Sequence, residues 1–348
     1  GKLINIYKYF KILFINILVF FTLVIIIECI FGNWFNNKFS KRLSSERNIE
    51  RIYKFNFSNH KGTSLYKRNN LGFRVPKNNE FVKNPDIAFV GGSTTNQKFT
   101  NFEETIVGRL QAKFDNLNII NAGVDGISII GHINSFELWF DKIENFRPKY
   151  YIYYIGINDQ SNLKKTTKIN HIDNLAESSF KNDLIEYFES NSFFYNSLRK
   201  LKTVLYLKTG NDLFTNIVND GAVVYGERTS KNFRYYSEFE KNNLKGEVND
   251  HYKNLLINLT NKVKERDSEI IYVTQISGTG MSENLFVIAN TIMSHCNNFK
   301  LNCINLAKYG NLQYDDFYDW THLNPDGSKK VSDFVSKRLL ELSVNLKF

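Results

Sequence analysis

The run Ile87-Ala88-Phe89-Val90, ending in Gly91-Gly92-Ser93-Thr94-Thr95, constrains this chain more than any other stretch. Four consecutive apolar residues, bounded by Pro85-Asp86 and by two glycines, specify a strand buried on both faces rather than one wetted along an edge. Such strands belong to parallel sheets whose crossover helices cover both faces. A helical apolar spacing resumes near Phe102. Ser93 is therefore expected on a strand-to-helix turn at the carboxyl edge of a sheet, where open α/β sheets gather their reactive groups. A serine there, beside free backbone N–H groups, is placed as a nucleophile. A glycine-rich turn in the same context also serves as a plain turn or a phosphate cradle.

The remainder repeats the alternation. Apolar positions 106, 107, 110 and 114 predict a helix over 102–114, and 118–121 a short strand followed by Ala122-Gly123-Val124-Asp125-Gly126. A broad apolar face predicts a helix over 128–146, ended by Pro148, and the β-prone run Tyr150–Ile155 closes in Gly156-Ile157-Asn158-Asp159. Helices are expected over 247–266, 282–298 and 325–342, and strands over 269–275 and 301–306. Between about 160 and 246 the alternation lapses into polar and aromatic segments with a helix expected over 181–207, which reads as a partly helical insertion. Strand-then-helix units joined by right-handed crossovers predict a three-layer α/β/α sandwich around a five-stranded parallel sheet.

Residues 12–31, ILFINILVFFTLVIIIECIF, form an apolar stretch that at 1.5 Å per residue covers about 30 Å, the thickness of a bilayer's hydrocarbon core. One N-terminal spanning helix is expected. A signal peptide is the competing reading, but the run exceeds the usual apolar region and ends without a small-x-small site. The organisation that follows is a membrane anchor over 1–35, a basic stalk over 36–82 that becomes ordered where it meets the main domain, and a catalytic domain over 83–348. Lysines and arginines flank both ends of the span, so the charge count does not set its orientation.

The formal charge of +10 is spread among Asn, Glu and Asp rather than clustered, which makes it solvated surface and argues against a nucleic-acid role. Three cysteines exclude a disulfide-built scaffold; Cys296 and Cys303 are near enough in sequence to permit a bridge without requiring one. His132, His171, His251 and His295 show no metal-ligand spacing, and Cys296, Cys303 and His295 lack an evident fourth ligand, so neither a metal nor a cofactor is expected.

Four loops after successive strands carry Gly91-Gly92-Ser93, Gly126, Gly156-x-Asn158-Asp159 and Asp319-Trp320-Thr321-His322. Singly, Gly126 reads as a turn residue and Asn158 as a loop brace. Together they supply the parts of an acyl-transfer site, on loops that a parallel sheet gathers along one edge. In combination and order the four blocks resemble the SGNH/GDSL hydrolase superfamily. More narrowly, VGGSTT, INAGVDG, YYIGIND and DWTHLNPDG resemble a membrane-anchored bacterial branch associated with envelope or exopolysaccharide modification. The resemblance covers residue 71 to the end apart from the insertion.

This resemblance implies Ser93 as nucleophile, His322 as its general base and Asp319 as the group that orients the imidazole. It implies an oxyanion hole made by the N–H groups of Ser93 and Gly126 with the side-chain amide of Asn158; Gly123 is the rival to Gly126, and the family register favours Gly126. Gly92 departs from the common G-D-S pattern, which puts loop bracing rather than chemistry in question. Asp159 is expected to brace its loop, and Gln275 is a candidate pocket-lining residue. The implied function is a membrane-anchored serine esterase removing a small acyl group, such as acetyl, from a cell-envelope glycan or related ester, with its catalytic domain outside the cytoplasm. The alternatives are an O-acyltransferase using the same site, and a non-catalytic glycan-binding or assembly protein whose insertion offers a surface to a protein partner.

Overall fold

The computed structural model describes residues 2–32, 34–35, 47, 49–77, 84–164, 188, 191–195, 197–198, 201, 217–219, 232–241 and 246–343. An apolar helix α1 (Lys2–Phe31) precedes two strands, β1 (Ile49–Phe57) and β2 (His60–Arg68). The α/β alternation then runs β3 (Ile87–Gly91), α2 (Ser93–Asn96), α3 (Ile106–Lys113), β4 (Ile119–Gly123), α4 (Ile129–Leu138) and β5 (Tyr150–Ile155). It continues through β6 (Ile217–Asn219), α5 (Tyr236–Glu240), α6 (Asp250–Lys264), β7 (Glu269–Thr274), α7 (Glu283–Phe299), β8 (Asn302–Ile304), α8 (Leu306–Tyr309) and α9 (Pro325–Ser343).

Five strands form one parallel sheet in the order β4-β3-β5-β7-β8. The chain steps outward from β3 to β4 and then crosses back to β5, so the loops after β3 and β5 leave in opposite directions. A crevice opens at that reversal, outside the carboxyl end of β3.

Strand alternation sends successive side chains to opposite faces. Ile87, Phe89, Tyr150, Ile152, Tyr154, Ile271 and Val273 form one apolar layer with residues of α3, α9 and α5. Ala88, Val90, Tyr151, Tyr153, Ile270 and Tyr272 form the other with residues of α4 and α6, and α7 contributes to both. The expected three-layer sandwich is thus observed. Cys296 and Cys303 are disulfide-bonded, joining the last turns of α7 to β8.

The helix expected over 128–146 is shorter. It ends at Leu138, and a 3₁₀ turn follows at Phe140–Lys142. Trp139 leaves helical geometry at φ −136° and ψ −67° and stacks on Phe73, with ring centroids 5.0 Å apart. Its indole Nε1–H donates to the carbonyl of Leu71 at 2.6 Å. Tertiary docking onto the residues preceding β3 thus overrides the local helical pattern.

Part of the expected basic stalk is also ordered. Strands β1 and β2 pair antiparallel from Ile49↔Arg68 to Phe57↔His60, and β6, from within the expected insertion, adds parallel to residues 52–54. Tyr53, Phe55, Tyr66, Phe99 and Tyr318 bury together, which fastens the hairpin to the loops after β3 and β8. Of the helix expected over 181–207, residues 188, 191–195, 197–198 and 201 fall within the described residues, and most are helical.

His132 on α4 is 1% exposed, edge-on to the ring of Tyr153 at 5.4 Å. Burial pushes its pKa down from 6.5 to about 3. On α7, burial first and then Lys253 and Lys264 push His295 down to about 4. Both favour the native state as neutral rings, so this stabilisation is fully present above pH 6.5 and is lost as pH falls from there toward the folded values. His132→Phe keeps a ring and removes the titration. Urea unfolding followed by tryptophan fluorescence at neutral pH and at about pH 5 should show a smaller acid-induced drop in midpoint for the variant than for the wild type.

Candidate active site

Ser93 is the first residue of α2, directly after β3. Gly92 at the helix cap is extended (φ −84°, ψ −152°), and its carbonyl accepts from the N–H groups of Thr95 and Asn96. On the other side of the crevice the chain passes from β8 through a 3₁₀ turn at Tyr314–Asp316 to Asp319 and His322. Asp319 Oδ1 accepts from the N–H groups of Thr321 (2.7 Å) and His322 (2.6 Å), closing a tight turn. That turn leaves Asp319 Oδ2 2.7 Å from His322 Nδ1, and His322 Nε2 lies 2.8 Å from Ser93 Oγ. Asp319 and His322 are 1% and 5% exposed, so the contact between them is dry.

Residues 229 positions apart in sequence therefore meet within hydrogen-bond distance. With Asp319 on the Nδ1 side and Ser93 Oγ on the Nε2 side, the three groups have the arrangement by which an imidazole can activate a hydroxyl.

Asn158, in the loop after β5, faces the same turn. Its Nδ2 donates to the carbonyl of Ile127 at 2.9 Å, which fixes the amide's direction. A Cβ built on Gly92 would sit 2.3 Å from that Nδ2. The glycine that replaces the aspartate of the G-D-S pattern thus makes room for the Asn158 amide beside the serine. Gly126 lies in the loop before α4 at φ +72°, a left-handed conformation that favours glycine. Gly123 is constrained differently: a Cβ there would lie 2.4 Å from the Asn96 backbone N, so its role is close packing of α2 on β4.

Bracing side chains tie these loops together. Asp159, 1% exposed, accepts from the Ile129 N–H at 2.7 Å and from the Tyr252 hydroxyl at 2.8 Å. It joins the Asn158 loop to the start of α4, as expected. Gln275 does not act as a pocket wall. Buried at the end of β7, it donates to Thr94 Oγ1 (2.8 Å) and the Tyr154 carbonyl (3.1 Å) and accepts from the Ile157 N–H (2.8 Å), linking the serine turn to the Asn158 loop.

Two buried arginines from the stalk segment were not anticipated. Arg68 Nη1 donates to Asn96 Oδ1 at 3.1 Å and to the Gly123 carbonyl at 2.8 Å. Arg74 donates to the carbonyls of Asn96, Gln97 and Thr100, which cluster beyond the end of α2. Burial pushes the Arg74 guanidinium down to about 10, so it remains a cation at neutral pH. The available signal was Arg74 alternating with Phe73 and Val75 in an otherwise polar stretch.

A small open pocket at Ser93 and His322 is walled by Lys98, Phe99, Asp125 and Tyr318. The Tyr318 ring stacks on the His322 imidazole with centroids 5.7 Å apart and a 12° tilt. Lys98 Nζ stands 3.8 Å from Asp125 Oδ2, and Asp125 Oδ1 accepts from Asn96 Nδ2 at 2.8 Å.

No protein-family model and no curated protein matches the chain. Among solved structures, a proposed lipolytic protein of the G-D-S-L family from Desulfitobacterium hafniense aligns with 73% of this chain and 99% of its own, at 10% identity and TM-score 0.41. An acetyl xylan esterase variant from Geobacillus stearothermophilus aligns over 73% and 94%, at 12% identity and TM-score 0.40. An alpha/beta hydrolase enzyme from the metagenome of Lake Arreo, Spain, aligns over 74% and 96%, at 12% identity and TM-score 0.38.

If the Asn158 amide serves the reaction, crowding it should cost rate more than binding. Gly92→Ala is expected to lower kcat on a small activated ester by about 10²-fold, the usual loss of one oxyanion donor, with KM and the unfolding midpoint little changed. Steady-state kinetics with a urea titration of the same preparation checks this.

Proposed function

We propose that this protein is a serine esterase that removes a small acyl group from an ester of a cell-envelope glycan. The observation that carries the reading is the continuous contact from Ser93 Oγ through both nitrogens of His322 to Asp319, in a dry setting beside the Asn158 amide.

In the proposed mechanism Ser93 Oγ attacks the acyl carbonyl carbon while its proton passes to His322 Nε2. Asp319 stabilises the imidazolium as it forms. The carbonyl oxygen becomes an oxyanion, held by the N–H groups of Ser93 and Gly126 and by the Asn158 amide. Collapse breaks the bond to the alcohol oxygen, which leaves with the proton from His322 and creates an acyl-Ser93 ester. Water, giving one proton to His322, attacks that ester; the bond to Ser93 Oγ breaks, His322 returns the proton to that oxygen, and the acid leaves.

The confined walls of Lys98, Phe99, Asp125 and Tyr318 suit a short acyl chain, and the charged pair at the rim suits a hydroxyl-rich alcohol portion. The anchor reading rests on Tyr9–Phe31, a span of 23 residues long and apolar enough to cross a bilayer. The Cys296–Cys303 disulfide favours an oxidising compartment, hence a catalytic domain outside the cytoplasm.

Full-length protein in detergent should release acetate from an activated acetyl ester and react stoichiometrically with a serine-directed fluorophosphonate. Ser93→Ala is expected to abolish labelling and to reduce turnover by at least about 10³-fold. Undiminished turnover in that variant overturns the assignment.

A further inference from the structure

The insertion carries an unassigned contact with the anchor. Glu28, three residues before the end of α1, accepts hydrogen bonds from Ser192 Oγ (2.6 Å), the N–H groups of Phe193 (2.9 Å) and Phe194 (3.0 Å), and the Trp34 indole Nε1–H (2.7 Å). The ring of Phe31 meets that of Phe193 at 5.3 Å, and Trp34 meets Phe188 edge-on at 5.4 Å. At this junction Phe188 and Phe193 are 46% and 37% exposed, and further along the same segment Leu198 and Leu201 are 58% and 54% exposed.

The depth of this contact follows from the helix itself. Residues 12–31 match the hydrocarbon thickness, so a carboxylate one turn from their end lies at about the boundary between acyl chains and headgroups. Backbone bonded to that carboxylate lies at the same level. Aromatic side chains exposed at that level meet lipid rather than bulk water, and a tryptophan beside them is the usual interfacial anchor.

We propose that the described residues between 188 and 201 form a membrane-interface element, seated among the headgroups of the bilayer that α1 crosses and tied to α1 by Glu28. This rests on reading α1 as a membrane span. It is independent of the esterase reading. The bilayer is favoured over a second protein because the exposed apolar surface continues that of α1, where Ile30 and Phe31 are 66% and 62% exposed.

The test uses full-length protein reconstituted in vesicles of phosphatidylcholine and phosphatidylglycerol, with a nitroxide on the lipid headgroup and a bimane on one cysteine. Three labelled forms are compared: native Cys29, Leu201→Cys in a Cys29→Ser background, and Leu340→Cys on α9 in the same background. The expected result is strong quenching at position 201, comparable with position 29, and little at position 340. Adding Glu28→Ala to the position 201 form should remove most of its quenching. A label at 201 that escapes the nitroxide while Cys29 is quenched overturns the proposal. Protection of that label from aqueous iodide would then indicate a protein contact, and accessibility would indicate water. A Cys29 label that escapes quenching defeats the anchor reading and the proposal together.

Discussion

The position of Ser93 depends on a buried cation. The helix that begins with this serine has four residues, too few to persist on its own hydrogen bonds, and its final carbonyls point into the protein. Arg74 collects the carbonyls of Asn96, Gln97 and Thr100 on one guanidinium. Carbonyls at a helix end carry partial negative charge, so they solvate a cation that would otherwise be costly to bury. Each half stabilises the other: without the arginine the Asn96 and Thr100 carbonyls lose their side-chain donor while Gln97 keeps only the Thr100 N–H, and unwinding the turn strands the charge. Arg68 adds a second cation against Gly123 and Asn96, so the turn is held from the β4 side as well.

Around that turn, preorganisation comes from side chains that never face the pocket. Asp159 uses one oxygen on the start of α4 and the other on the Tyr252 hydroxyl, while Gln275 spans Thr94 and Ile157. The loop after β5 is therefore tied by hydrogen bonds to the start of α4 through Asp159 and to the serine turn through Gln275. Such bonds are individually worth about 1 kcal/mol net, but an unmet partner in a dry site costs more, which makes the set rigid as a unit. An oxyanion site needs this property, since donors that must reorient during the reaction give back part of their benefit.

The sheet and the polar constellation were legible in the sequence because both rest on short-range signals. Tyr150–Ile155 is apolar and β-prone throughout, and the strand appears at those bounds. Ser93 stood out because it follows a strand end, whereas Asp319 and His322 were singled out by the resemblance of their D-x-x-H block, since a helix and a 3₁₀ turn separate them from β8. The hairpin was not legible: its strands read as Lys, Asn, Arg and aromatics, and their burial comes from Phe99 and Tyr318 on distant loops. The same limit explains Trp139, whose departure from helix is dictated by Phe73, and Gln275, whose three partners lie on other strands. Gly92 is an intermediate case. Its departure from the G-D-S pattern was visible, but the reason, an asparagine amide occupying the space of a Cβ, appears only in three dimensions.

The N-terminal third and the insertion meet at two places among the described residues. Glu28 on α1 grips residues 192–194; β6, further along the same insertion, pairs with β1; and β1 and β2 lead into Arg68 and Arg74, which hold the serine turn. Among the described residues the insertion therefore contacts α1 through Ser192–Phe194 and β1 through β6. On the esterase and membrane-span readings proposed above, contacts that hold the pocket near one height favour a substrate fixed at an envelope surface, because orientation is settled before binding rather than during it.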